Sequence, residues 1–303
     1  MKNYVLVLLV FLVFGCKNEP KKVGSQGLKI LCTTGMIADA AQNIAQNKAE
    51  IVALMGSGTD PHLYKASQGD LEKMRWADII FYNGLHLEGK MVEVHEALKR
   101  TKTTVALGET IPKNLLIAND KFGSNYDPHI WFSLKNWRIV AQNITKTLVQ
   151  KDPDNAAFYT KNLAAYTSQL DSLSQEIAQK IGTIPAQNRV LITSHDAFEY
   201  YGREFGVRVK GLQGVSTVAE YGLKDIVSLV NFIVAQKVKA VFVETSVSPR
   251  SIESVVQGCT EKGHKVIIGG TLYSDAMGAQ GTPDGTYLGM LRHNTNALVA
   301  ALR

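Results

Sequence analysis

The sequence predicts an α/β protein of two lobes, each a mostly parallel sheet flanked by helices, joined by one long rigid helix. Two observations carry that prediction. Short apolar runs bounded by turn residues alternate with helical patterns in both halves of the chain, which is how parallel strands with crossover helices read. Between the halves, residues 153–182 hold a single uninterrupted helical pattern.

In the first half, residues 29–32 read as a strand, leading to a helix near 36–46 and a strand over 50–54. Helix over 70–76, strand over 79–82, helix over 91–100 and strand over 104–107 follow. The second half resumes with a strand at 189–193, a helix from Phe198, a strand at 207–209 and a helix over 224–236. Strands at 238–243 and 265–268 enclose a helix near 251–261, and a helix over 287–302 ends the chain.

Asp152 is placed to cap the long helix, with Pro153 at its first position and Gly182 at its end. Tyr159, Leu163, Tyr166, Leu170, Leu173, Ile177 and Ile181 recur at spacings of three and four, so they share one face. The segment is about 43 Å long, enough to run the height of two small domains. A coiled-coil strand would carry such a stripe too, and a lone helix packed on both lobes explains it as well. Such a helix limits how far the lobes can open.

The N-terminus addresses the chain out of the cytoplasm. Lys2 precedes an unbroken apolar run over residues 4–14. That run is too short for a bilayer, which needs roughly 20 apolar residues, and it has the length of a signal-peptide core. Val13-Phe14-Gly15-Cys16 follows, the order of a bacterial lipoprotein cleavage site with Cys16 as the lipid attachment point. The polar stretch to Gly27, with Pro20 and Gly24, reads as a tether. The expected organisation is a signal peptide at 1–15, a tether at 16–27, lobes at 28–152 and 183–303, and the linking helix at 153–182. An exported protein lipid-anchored to a bacterial membrane, on its extracytoplasmic or periplasmic face, is expected.

The net charge of +6 is spread over 303 residues without a Lys/Arg block interleaved with aromatics, so nucleic acid is not implied. Cys32 and Cys259 are the cysteines left after Cys16. A disulfide between them is permitted outside the cytoplasm, but they fall in different predicted lobes and two free thiols are expected. With no C-x-x-C pair there is no thiolate metal cluster.

Four residues at strand ends are candidate metal ligands. His62 and His129 sit in identical tripeptides, Asp60-Pro61-His62 and Asp127-Pro128-His129, each after a Gly/Ser/Asn-rich loop. Proline fixes the backbone just ahead of each imidazole. His195 follows the strand at 190–194, and Asp275 follows the strand at 266–268 through a glycine-bearing loop. Ligands of open parallel sheets bind beyond the carboxyl ends of strands, and each lobe supplies two candidates. Three imidazoles and one carboxylate complete a tetrahedral zinc set, although a bidentate carboxylate could serve manganese. Asp196 and Glu244 end near the same cleft and could orient an imidazole from outside, with helix capping or salt bridging as alternatives. His86, His95, His264 and His293 are weaker candidates.

At these residues the chain closely resembles the zinc/manganese solute-binding proteins of ABC importers, the TroA-like and ZnuA-like family. The matching stretches include Thr33-Thr-Gly-Met-Ile-Ala-Asp39, Tyr82-Asn-Gly-Leu-His-Leu-Glu88, Asp127-Pro-His-Ile-Trp131, Lys210-Gly-Leu-Gln-Gly-Val-Ser-Thr217 and Leu272-Tyr-Ser-Asp-Ala-Met-Gly278. The resemblance implies His62, His129, His195 and Asp275 as ligands of Zn2+ or Mn2+ carried as cargo. It implies no enzyme, an ABC permease with its ATPase as partner, and a monomer. Members with glutamate at the place of His195 tend to be manganese proteins, so histidine leans toward zinc. The His-rich loop of dedicated zinc members is absent between His62 and His129, which keeps the metal open. A surface adhesin of the same family is the alternative reading. A zinc hydrolase would need an open water position and a base.

Overall fold

The computed structural model describes residues 27–119 and 125–303. The leader, Cys16, all of the tether but Gly27, and residues 123 and 124 of the loop ahead of Asp127 lie outside the described residues. The first lobe contains β1 (Leu28–Cys32), α1 (Gly35–Ala45), β2 (Ala49–Ala53), α2 (Gln68–Trp76), β3 (Ile79–Tyr82), α3 (Val92–Lys99) and β4 (Thr103–Ala106). Its strands form a parallel sheet in the order β2-β1-β3-β4. A short antiparallel pair, β5 (Ala118–Asn119) and β6 (Asn125–Tyr126), precedes α4 (Leu134–Lys151) and the long α5 (Ala156–Gly182). Then come β7 (Val190–His195), α6 (Glu199–Phe205), β8 (Arg208–Gln213), α7 (Leu223–Gln236), β9 (Ala240–Glu244), α8 (Arg250–Glu261), β10 (Ile267–Leu272) and α9 (Tyr287–Leu302). β7 pairs with β8 and β9 with β10, both parallel, and β7 packs beside β9.

The strands are apolar because both of their faces are covered. Side chains alternate between faces along a strand, and the cores divide accordingly. Ile30, Ile79 and Phe81 enter one large core, whereas Leu31 and Ile80 enter another beneath α2 and α3. In the second lobe Leu191 joins the large core, and Val190 and Ile192 join a core with Leu229, Ile233 and Val255. The large core also takes in Trp137, Tyr166, Leu170, Phe198 and Tyr287. One continuous apolar body therefore runs through α4, α5 and both sheets. Wide separation of the lobes would expose it, at about 25 cal/mol per Å² of apolar surface.

α5 is packed against α1, α4 and α9, so its stripe belongs to a linking helix seated on both lobes. All seven stripe residues are buried except Leu163, which is partly buried. The start differs from expectation. A 3-10 turn over Pro153–Asn155 comes first, and Asp152 accepts from the Asn155 side-chain amide at 2.8 Å and the Tyr159 hydroxyl at 2.6 Å. Pro153 has no N–H to offer, and the Asn155 amide takes the carboxylate instead. α4 was not foreseen, although Ser133 caps it by accepting the Asn136 amide at 3.2 Å. Trp137, Val140, Ala141, Ile144 and Leu148 form its buried face.

Cys32 and Cys259 are free thiols, each fully buried, in different cores. Burial pushes both thiols above their usual range, so they should resist labelling while folded. A Cys16→Ser protein unfolded without reductant should take up two equivalents of a thiol reagent. Zero uptake would mean a disulfide.

Candidate metal centre

Each of the four candidate side chains is set by local backbone chemistry. In both tripeptides the aspartate accepts the histidine amide, Asp60 Oδ1 from His62 at 2.8 Å and Asp127 Oδ1 from His129 at 2.9 Å. This Asx-type turn, with proline between, aims the ring. His195 is the last residue of β7 rather than a residue after it. β7 runs on through His195, past the expected strand end, because His195 stays in register with Gln213 of β8. β10 likewise continues through Gly269 and Gly270 to Leu272, with a register irregularity between Ile268 and Gly270. A Cβ on Gly269 would lie 2.6 Å from that of Ala301, so glycine is what lets α9 sit this close. Asp275 thus stands three residues past the strand.

The four converge. His62 Nε2 lies 3.3 Å from His129 Nε2. Asp275 Oδ1 lies 3.4 Å from His129 Nε2, and its Oδ2 lies 3.3 Å from His195 Nε2. One ligand atom from each residue fits within 4.8 Å of all the others. Every one of these residues is 2% exposed or less, so the donors are desolvated and face one another.

A second ring of carboxylates stands behind two of the imidazoles. Asp127 Oδ1 accepts from His129 Nδ1 at 2.7 Å. Glu244 Oε2 lies 2.6 Å from His195 Nδ1, and its other oxygen accepts the amides of Ser194 and His195 at 2.7 and 3.0 Å. Such contacts fix which ring nitrogen faces inward and raise its basicity. Of the two outer carboxylates expected from the sequence, Glu244 reaches His195, while Asp196 accepts the amide of Gly211. A Cβ on Gly211 would lie 2.5 Å from the His195 carbonyl carbon, which explains the glycine in that stretch. Asp127 was missed as an orienting group, although the repeated tripeptide placed it beside a candidate ligand. Glu88 was missed too. It is buried and accepts the Thr33 hydroxyl at 2.6 Å and the amides of Asn83 and Gly84 at 2.8 and 3.0 Å. Asn83 in turn donates to the Pro128 carbonyl at 3.0 Å, bracing the His129 loop.

The electrostatics divide the imidazoles. Burial lowers the pKa of His62 to about 3. Burial also opposes charge on the other two, but Asp127 and Asp275 raise His129 above its ordinary value. Glu244 and Asp275 raise His195 well above it. Burial works against the Asp275 carboxylate, yet His195 and His129 hold it well below the usual range. The buried set therefore offers a neutral imidazole, two carboxylate-backed imidazoles and an ionised carboxylate.

The remaining histidines have other settings. His86 is exposed, on a turn where Gly84, Leu85 and His86 all have positive φ. His95 is buried and stacks on Tyr82 at 4.1 Å. His264 donates to the Val238 carbonyl and His293 to that of Thr271.

Residues 30–301 match the family described as zinc-uptake complex component A, periplasmic (ZnuA). The chain is 46% identical to the manganese-binding lipoprotein MntA of Bacillus subtilis (strain 168), over 100% of each. It is 34% identical to the manganese ABC transporter substrate-binding lipoprotein PsaA of Streptococcus mitis, covering 99% of this chain and 97% of that one. The solved structure of the periplasmic zinc-binding protein TroA from Treponema pallidum superposes with a TM-score of 0.89 at 43% identity, covering 91% of this chain and 99% of the other.

Proposed function

The chain belongs to the zinc-uptake complex component A family, a family of solute-binding proteins, and from that premise we propose that it captures one divalent transition-metal ion at His62, His129, His195 and Asp275 and delivers it to the permease of an ABC importer. The observation that carries this reading is the meeting of four buried donors drawn from both sides of α5. The chain works outside the cytoplasm as a monomer, held to a membrane by lipid on Cys16. Residues 28–152 and 183–303 act as the two bodies, with 153–182 as the stiff element between them.

The donor set favours zinc. The His62–His129 contact and the two histidine–Asp275 contacts, at 3.3–3.4 Å, have the edge length of a tetrahedron whose centre is about 2.0–2.1 Å from its corners, where zinc–imidazole bonds fall, within a donor set that spans up to 4.8 Å. Asp275 turns one oxygen toward His129 and the other toward His195. It can therefore also serve as a two-oxygen ligand, which suits manganese. Relatives named for each metal accord with such a site. Four protein donors support holding an ion rather than hydrolysis, since a catalytic zinc keeps an open position.

Protein purified without added metal should carry one equivalent of zinc or manganese by elemental analysis. After chelation it should rebind one equivalent of zinc in titration. Tighter binding of zinc than of manganese in vitro follows from the general order of metal affinities, so the metal retained on purification is the informative result. A chain that neither retains nor rebinds either metal would overturn the reading.

A further inference from the structure

We propose that Asp60 and Thr217 form a latch across the metal centre whose hydrogen bond sets how slowly the ion is released. The proposal rests on the metal-binding reading above and adds a positioning pair to it.

The two identical tripeptides use their aspartates differently. Asp127 spends one oxygen on its own motif, taking both the amide and the ring Nδ1 of His129. Asp60 takes the His62 amide with Oδ1 and accepts the Thr217 hydroxyl with Oδ2 at 2.6 Å. That second bond leaves the motif and crosses 157 positions of sequence, from the first lobe to the second.

Thr217 sits on a loop tied closely to another ligand. The loop leaves β8 at Gln213, the residue in register with His195. Within it the Ala219 amide donates to the Ser216 carbonyl at 3.2 Å, and the Gln213 side chain donates to the Ala219 carbonyl at 3.0 Å. The bond to Asp60 therefore fastens the turn carrying His62 to the strand pair carrying His195. Opening it lets two ligands on opposite lobes move apart.

The other bonds joining the lobes nearby are poorly suited to opening. Trp131 donates to the Ser274 carbonyl, Tyr287 to the Trp131 carbonyl and Tyr200 to the Asp127 carbonyl. These aromatic residues are 1% exposed or less and belong to the continuous core. Asp60 and Thr217 are half-buried, and their outer neighbours Leu63 and Val218 are 51% and 48% exposed. The latch thus lies where the closed site meets solvent. A hydroxyl bonded to a carboxylate is stronger than a neutral pair, and partial exposure still lets water replace it.

The test is zinc release from the loaded protein into excess chelator, followed by stopped flow. Thr217→Val keeps the shape and removes the hydroxyl, and it should release zinc about tenfold faster, equivalent to about 1.4 kcal/mol. Thr217→Ser should restore release to within about twofold of the parent, and both variants should still bind one equivalent of zinc. Thr217→Ala covers the case in which valine does not fit. Parent-like release from Thr217→Val or Thr217→Ala, or release from Thr217→Ser as fast as from Thr217→Val, overturns the latch. His62→Ala serves as the control: if it binds zinc like the parent, the ligand assignment fails instead.

Discussion

Replacing His62 by alanine should weaken zinc binding at least tenfold while leaving the metal-free fold intact, whereas replacing His195 should damage both. Either change removes one of the four proposed donors, which no other His, Cys, Asp or Glu joins among the described residues, and even outer contacts to a metal ligand are worth about 10–100-fold in affinity. The difference lies in what each ring does before metal arrives. His62 is neutral, since burial lowers its pKa to about 3. Below the unfolded pKa of about 6.5 the unfolded chain gains a proton there that the folded chain refuses. Removing His62 therefore relieves a penalty on the acid side. His195 is the reverse case, raised well above its ordinary value by Glu244 and Asp275 after burial has opposed it. Its contribution is fully present below about pH 6.5 and is lost as pH rises through the raised folded value. His195→Ala leaves Glu244 and Asp275 buried without that counter-charge, and breaking a buried pair costs about 3–5 kcal/mol. Titration and thermal melts of both variants at pH 6 and 8 would check this. Equal melting temperatures for the two metal-free variants at pH 6 would contradict the assigned charges.

What the sequence disclosed about this centre follows from where the chemistry is local. Asp-Pro-His is a complete local device, in which acceptor, fixed backbone and ring occupy three successive residues, so His62 and His129 could be singled out. His195 and Asp275 were reachable because strands of parallel sheets deliver ligands at their carboxyl ends. The ring of carboxylates was less legible. Glu244 touches His195 only because β9 lies beside β7, and adjacency of strands 49 positions apart is a tertiary fact. Asp196, next in sequence to His195, bonds Gly211 on β8 instead. α4, by contrast, was legible, since Trp137, Val140, Ala141, Ile144 and Leu148 recur at helical spacing after the capping Ser133. The strand ends at His195 and Leu272 were misjudged because register with a neighbouring strand, not local composition, decides where a strand stops.

Zinc at a thousandfold excess over its Kd should raise the stability of the folded protein by about 4 kcal/mol at pH 7.5, and that gain should shrink on acidification. Binding to the folded state alone stabilises by mass action, and for a chain of this size the gain corresponds to a melting-temperature rise of roughly 7 °C. Its pH dependence follows from the charges. Asp127 and Asp275 raise His129, and Glu244 and Asp275 raise His195, so each ring keeps its proton to higher pH than an ordinary imidazole and zinc must displace it. His62, lowered to about 3, has none to lose in this range. With His62 contributing none, proton release on zinc binding near neutral pH should exceed the roughly 0.5 that two ordinary imidazoles would give at pH 7. At fixed free zinc, each proton released per ion removes about 1.4 kcal/mol of the stabilisation per pH unit, so the loss between pH 7.5 and 6.5 should exceed the roughly 0.7 kcal/mol of two unperturbed rings. Over the same interval the metal-free protein gains from its two protonated pairs as pH falls, so the melting curves of loaded and metal-free protein should converge from both sides. Calorimetry in buffers of different ionisation enthalpy counts the protons directly, and paired melts follow the convergence. Release of about 0.5 proton or less at pH 7, or melting temperatures that stay equally far apart from pH 7.5 to 6.5, would show that the carboxylates do not hold protons on His129 and His195.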